Sequence, residues 1–256
     1  MATLTLTSLQ DIPLIRHGDH LADILVHALA GNKLSLEDHD ILVVAQKIVS
    51  KSEGRGINLA GITPSPQALE LAEKTEKDPR MVELILQESR EVLRTRPGTI
   101  IVEHRLGFVC ANAGIDHSNV AGAGDTADEW VLLLPSDPDH SAHKLRQEIR
   151  SRTGKEVGIL IIDSHGRAWR NGTIGTAIGI AGLPGLQDLR GEPDLFGFKL
   201  RITQVGVADE LAAAASLIMG QAAEGTPVVH VRGFPYALRE GSLQELLRPK
   251  EQDLFR

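Results

Sequence analysis

Short apolar runs with strand character recur along the chain, at 41–44, 100–102, 108–110, 130–134, 157–162 and 228–231. All are short, and several are rich in β-branched residues. Between them the apolar spacing changes to three and four, which predicts helices at 22–29 and, after Pro64-Ser-Pro66, at 67–76. Met81, Leu84, Ile85, Glu88 and Val92 mark a third helix behind Asp78-Pro79, an Asp cap followed by a first-turn proline. Residues 141–152 read as a fourth helix closed by Gly154. Residues 209–223 read as a fifth, rich in small side chains and closed near Gly225.

Strands and helices alternate, so the fold class is α/β. The runs at 100–102 and 108–110 follow each other with no helix between them, which predicts a mixed, α+β-like sheet and no regular Rossmann wind. The stretch 182–197 reads as a long loop, a lid or an oligomer arm. Residues 172–182 are glycine-rich, yet no apolar strand leads into them and the G-x-G-x-x-G context is missing. A P-loop motif is absent as well.

A length of 256 residues allows one large domain or two small ones. With 42% hydrophobic and 24% charged residues the composition is that of a soluble globular protein. The net charge of -7 and the 3% aromatic content argue against nucleic acid as a partner. The single cysteine, Cys110, excludes an internal disulfide and a cysteine-rich zinc site, and reads as a small strand hydrophobe. Neither a signal peptide nor a membrane span is read, so a cytoplasmic enzyme is expected.

Chemistry concentrates in a few polar segments. Asn112-Ala-Gly-Ile-Asp-His-Ser-Asn119 crowds a carboxylate, a hydroxyl and two amides into eight positions. Hard cations take oxygen ligands and nucleotides need amide and hydroxyl donors, so Asp116 is a candidate metal ligand and Asn119 a nucleotide contact. An Asx-turn explains the same residues equally well. The apolar run before Asp163-Ser164 ends abruptly, where open α/β sheets place ligands; an Asp and a hydroxyl there suit Mg²⁺ or Mn²⁺. A plain cap is the alternative for Asp163. Arg167 and Arg170 follow and would bring positive charge. Lys47 and Lys51 leave the 43–51 segment as candidate phosphate contacts or ordinary solvated lysines. Gln221 or Glu224, at a helix end, could complete a metal shell, or simply belong to a helix C-terminus.

Six stretches in order, 12–15, 43–54, 112–119, 158–167, 207–212 and 229–233, resemble the F420-0:gamma-glutamyl ligase family over nearly the whole chain. The Asn-Ala-Gly-Ile-Asp-x-Ser-Asn stretch is the most specific of them. The resemblance implies a two-lobed ligase fold, neither Rossmann nor P-loop. It implies one module over 1–256, intertwined lobes in a homodimer, and no fused flavin reductase domain. It implies a GTP-dependent ligase using two divalent ions, Mg²⁺ or Mn²⁺, with K⁺ assisting. L-glutamate would be joined to a coenzyme F420 precursor through an acyl phosphate. By motif, Asp116 and Asp163 become catalytic, and Asp116, Asp163, Ser164 and Gln221 metal-binding. Ile12, Pro13, Leu14, Ile15, Gln46, Lys47, Lys51 and Asn119 fall where the family holds GTP. So do Met219, Gly220, Gln221, Ala222, Ala223, Glu224, Gly225 and Thr226. Residues 120–129 look like an extended flap. The competing readings are a metal-dependent phosphohydrolase acting through the same two aspartates and a GTP-binding module without turnover.

Overall fold

The computed structural model describes residues 3–120 and 129–254. In it, β1 (Thr5–Ser8), β2 (Ile41–Ala45), β8 (Gly158–Arg167), β9 (Arg170–Ala181) and β12 (Val228–Arg232) form a mixed five-stranded sheet, ordered β1-β12-β2-β8-β9. Only β2 and β8 pair in parallel; the other three pairings are antiparallel. The α/β class with a mixed sheet is the one expected from the sequence.

The strands at the centre read as continuous apolar runs because helices cover both faces. Leu42, Val44, Ile159 and Ile161 pack in one core with Leu25 and Leu29 of α1 (Leu21–Gly31) and Leu145 and Ile149 of α5 (Pro138–Thr153). The alternate residues Ile41, Val43, Leu160 and Ile162 pack in a second core with Leu211, Ala212 and Ala215 of α6 (Val207–Met219). Period two along each strand assigns each residue to its core.

The glycine-rich run is itself a strand, β9, which its composition hid. A Cβ at Gly175 would lie 2.3 Å from the Ala212 carbonyl oxygen of α6, and one at Gly179 would lie 2.5 Å from the Pro138 oxygen of α5. Helices approach β9 too closely for side chains at these positions, and β-propensity yields to packing.

A second, three-stranded antiparallel sheet joins β4 (Ser89–Arg96), β5 (Thr99–His104) and β6 (Val109–Ala111). Its core combines Ile100, Val102 and Cys110 with Ala68 and Ala72 of α3 (Pro66–Thr75) and Val82 and Ile85 of α4 (Pro79–Gln87). Here the helix predicted to reach Val92 stops at Gln87. The carbonyl of Glu88 accepts from the Arg105 amide at 3.0 Å, drawing the chain into β4. Between the two sheets, β3 (Gly56–Asn58) pairs with β7 (Trp130–Leu132).

Three further differences bear on function. Directly after β2 the chain turns into a short helix, α2 (Gln46–Ser52), too brief to show a helical period in the sequence. The helix predicted over 209–223 ends at Met219, because Gly220 adopts φ 73 and ψ -179 and Thr226 Oγ1 donates to the Met219 carbonyl at 2.9 Å. The stretch read as a loop at 182–197 belongs to a ribbon in which β10 (Gln187–Asp188) pairs with β11 (Gln204–Val205). Backbone hydrogen bonds from Leu189 to Thr203 and from Asp194 to Phe198 continue that ribbon toward its tip. Among the described residues no helix is long and apolar enough to cross a membrane. Of the segment read as a flap, 121–128 lies outside the described residues.

Candidate active site

The parallel pair β2–β8 places the site. Ala45, the last residue of β2, lies opposite Ile162. From Asp163 onward β8 keeps β9 on one side while β2 has already turned into α2. Asp163 therefore stands beside the carboxyl end of β2 and the first turn of α2. The sequence suggested that the strand itself ended there; instead β8 continues to Arg167 as a hairpin with β9. Arg167 and Arg170 sit at the hairpin's far end, with Arg167 donating to the Asn171 carbonyl at 3.2 Å. Four residues of strand span roughly 13 Å, too far for Arg167 to share the Asp163 cleft directly.

Asp116 reaches the same place from the other sheet. Asn112 leaves β6 with φ 50 and accepts from the Ile100 amide through Oδ1 at 3.0 Å, so its side chain anchors the turn. The backbone of Asp116 then exchanges two 2.9 Å hydrogen bonds with Leu132. Fixed on both sides, its carboxylate accepts from Gln46 Nε2 at 2.5 Å and faces Lys47 Nζ at 3.3 Å. Gln46 is buried and accepts from Ser50 Oγ at 2.9 Å through its other amide atom. Both side-chain partners of Asp116 are remote in sequence, so a local Asx-turn does not describe it.

The Asp116 carboxyl is disturbed by its surroundings. Burial, then the nearby charge of Asp163, push the Asp116 carboxyl up to about 6, against the opposing pull of Lys47 and Gln46. Lys51 is pushed below its usual value by burial and by Lys47, with Asp116 acting the other way. A carboxyl with a raised pKa beside a second carboxylate and lysines is a candidate functional site.

The turn after α6 adjoins these residues. Ser164 Oγ donates to Gln221 Oε1 at 2.7 Å, and Gln221 Nε2 donates to Ser216 Oγ at 2.9 Å. Asn119 Nδ2 donates to the Ala222 carbonyl at 3.2 Å. The Ala222 amide in turn donates to Glu224 at 2.8 Å, and backbone amides hold the Glu224 carboxyl below its usual value. Asp116, Asn119, Gln46, Lys47, Asp163, Ser164 and the 219–226 turn thus form one neighbourhood. Ile12, Pro13, Leu14 and Ile15 run along α2, where Ile15 shares a core with Ile48 and Val49, and the Gly18 amide donates to the Ser52 carbonyl at 2.9 Å. Leu14 is exposed.

The carboxylates of Asp116 and Asp163 and, on the opposite face of β8, the Ser164 hydroxyl and the Gln221 amide oxygen are all oxygen donors. Among the described residues no group of three or more His, Cys, Asp or Glu side chains could hold a metal. A cage made by such residues alone, of the zinc kind, does not fit. Two carboxylates and neutral oxygens do fit Mg²⁺ or Mn²⁺, which keep positions for water and phosphate. One residue escaped the sequence reading: His165, whose Nε2 lies 3.0 Å from Asp163 Oδ2. Its spacing of two from Asp163 on a strand was the available signal.

A family profile described as F420-0:Gamma-glutamyl ligase matches residues 10–233. The chain is 49% identical to the coenzyme F420:L-glutamate ligase of Methanothermobacter thermautotrophicus over 255 residues, covering 99% of each chain. It is 44% identical to the enzyme of that name from Methanopyrus kandleri, with both chains fully covered. It is 44% identical to that of Archaeoglobus fulgidus, covering 96% of this chain and 94% of the other. The chain therefore belongs to the F420-0:gamma-glutamyl ligase family and is a ligase.

Proposed function

We propose that this ligase joins L-glutamate to a coenzyme F420 precursor, F420-0 or a relative of it, through a γ-linked amide, with GTP as co-substrate. The observation that carries the reading is the carboxylate pair Asp116–Asp163 beside Lys47 and Lys51, in a chain related throughout its length to coenzyme F420:L-glutamate ligases.

Phosphoryl transfer depends mainly on positioning and charge neutralisation. Asp116, Asp163, Ser164 and Gln221 would hold divalent ions, Mg²⁺ or Mn²⁺, which when bound supply positive charge to the nucleotide's phosphates. Lys47 and Lys51 add fixed positive charge on α2, within one helical turn of each other. Asn119, the segment Ile12–Pro13–Leu14–Ile15, the start of α2 at Gln46 and the turn from Met219 to Thr226 frame the nucleotide. The precursor's carboxylate takes the γ-phosphoryl group of GTP, the β–γ bond breaks, GDP leaves, and an acyl phosphate forms. The amine of glutamate then attacks the acyl carbon, an amide forms, and inorganic phosphate leaves. Repetition on the product would lengthen a glutamate tail. K⁺ would assist as a monovalent ion.

A homodimer completes the proposal. Leu195, Phe196 and Ile202 on the β10–β11 ribbon are 98%, 95% and 88% exposed, apolar surface of the kind that a second subunit covers. Size-exclusion chromatography with light scattering should give twice the chain mass; a monomer would count against it.

The discriminating experiment is nucleotide turnover with each substrate omitted in turn. GDP should form in multiple turnovers only when glutamate and precursor are both present, and with precursor alone to at most one equivalent per site. Multiple turnovers of GTP to GDP with neither of them present would identify a phosphohydrolase. Binding without GDP under any condition would identify a non-catalytic GTP-binding module.

A further inference from the structure

The two carboxylates of the cleft are held differently. Asp116 is fixed by Gln46, Lys47 and two backbone hydrogen bonds to Leu132. For Asp163 the side-chain partner is His165, two residues further along β8 on the same face. Both side chains are only 11% exposed. An ionised carboxylate only accepts, so the ring nitrogen donates to Oδ2.

The imidazole is itself braced from the second sheet. Phe108, in the turn between β5 and β6, lies against it with ring centroids 5.2 Å apart. Phe108 stacks in turn on His104, centroids 5.1 Å apart and planes within 7°. His104 is 1% exposed, and its Nδ1 accepts from the Leu106 amide at 3.0 Å. A row of three rings thus runs from the small sheet to one oxygen of Asp163, and among the described residues no hydrogen bond engages Oδ1.

We propose that His165 is a positioning residue for the ligase reaction: its Nε2–H, braced by Phe108, fixes the facing of the Asp163 carboxylate and directs Oδ1 toward a divalent cation. The inference rests on the reading of Asp163 as a cation ligand. Groups that orient a ligating side chain typically change metal affinity by 10–100-fold when removed.

The test uses the full chain, with Mn²⁺ alone as the probe, titrated by electron paramagnetic resonance. His165→Phe keeps a ring against Phe108 and removes the donor; His165→Leu is a second donor-free variant. His165→Gln restores an N–H near the position of Nε2. Both donor-free variants should melt close to wild type in EDTA, yet bind Mn²⁺ about 10–100-fold more weakly. His165→Gln should recover most of that loss. In turnover the deficit should appear in the Mn²⁺ concentration giving half-maximal rate and fade at saturating Mn²⁺. Wild-type affinity in a folded donor-free variant would overturn the proposal, as would a His165→Gln protein no better than His165→Phe. Failure of the underlying cation reading looks different: wild type would bind no Mn²⁺, or Asp163→Asn would bind it unchanged, and the positioning role would fall with it.

Discussion

The two ends of strand β2 lie beside carboxylates in opposite condition, the buried Asp40 and the half-buried Asp116. At the entry, Asp40 accepts from Arg232 Nε at 2.9 Å and Nη2 at 2.7 Å, from His230 at 2.8 Å and from the Glu37 amide at 2.8 Å. Burial pushes its carboxyl up, but the hydrogen bonds from Arg232, His230 and Glu37 outweigh this and leave it below its usual value. At the exit, burial and then the charge of a second carboxylate raise the Asp116 carboxyl to about 6. A carboxylate whose charge is fully answered stabilises the fold. One whose charge is left partly unanswered costs stability until something positive arrives, which is why we place the proposed ligand at the exit.

Changes at the two ends should therefore part company. The largest effect belongs to Asp163→Asn: glutamylation falls on the order of 10³-fold, while the melting temperature without metal stays at or above that of wild type. Parallel activity and thermal-shift measurements check this, and normal glutamylation by the folded variant would remove Asp163 from the site. At the other end, Asp40→Ala leaves Arg232 and His230 without their shared partner. It should cost about 3 to 5 kcal/mol in a denaturant titration, with the rate per folded molecule unchanged. A loss of rate at full folding would break the contrast.

The pH dependences should have opposite signs. Asp40, with its lowered pKa, contributes stability that is present above its unfolded value and lost as pH falls through the folded one. Asp116, with its raised pKa, costs nothing below the unfolded value, and the cost is complete once pH passes about 6. Asp116→Asn removes that cost. In EDTA it should be more stable than wild type at pH 7.5 by on the order of 2 kcal/mol, a gain that disappears near pH 4. An equal gain at both pH values would place its cause elsewhere. The smallest effect is expected of Lys51→Ala: an increase of up to about tenfold in the KM for GTP, from loss of one phosphate-facing charge. An unchanged KM would make Lys51 a structural lysine.

The central strands were legible because burial on both faces writes a continuous apolar run, as in β2, β12 and the first half of β8. The helices with a one-sided apolar stripe were legible for a related reason. Strand β9 was hidden because packing against α5 and α6 demanded Gly179 and Gly175, which are poor strand formers. The premature end of α4 was hidden because Arg105, seventeen positions after Glu88 in the chain, decides it. In the cleft, Asp116 and Asp163 could be singled out by residue type and motif. Their proximity was an expectation of the family resemblance alone; residue type and spacing do not carry it, because it depends on Asn112 anchoring one sheet and on Gln46 following β2 in the other. The ring row from His104 to His165 was not legible either, because its members share no sequence pattern.

One measurement compares the two ends directly: the thermal shift produced by Mn²⁺ in wild type, Asp40→Asn and Asp163→Asn. A ligand bound to the folded state at a hundred times its Kd stabilises by about 2.7 kcal/mol. Saturating Mn²⁺ should raise the melting temperature of wild type and of Asp40→Asn by similar amounts and leave that of Asp163→Asn unmoved. An undiminished shift in Asp163→Asn would contradict the assignment of the cation site to the carboxyl end of β2.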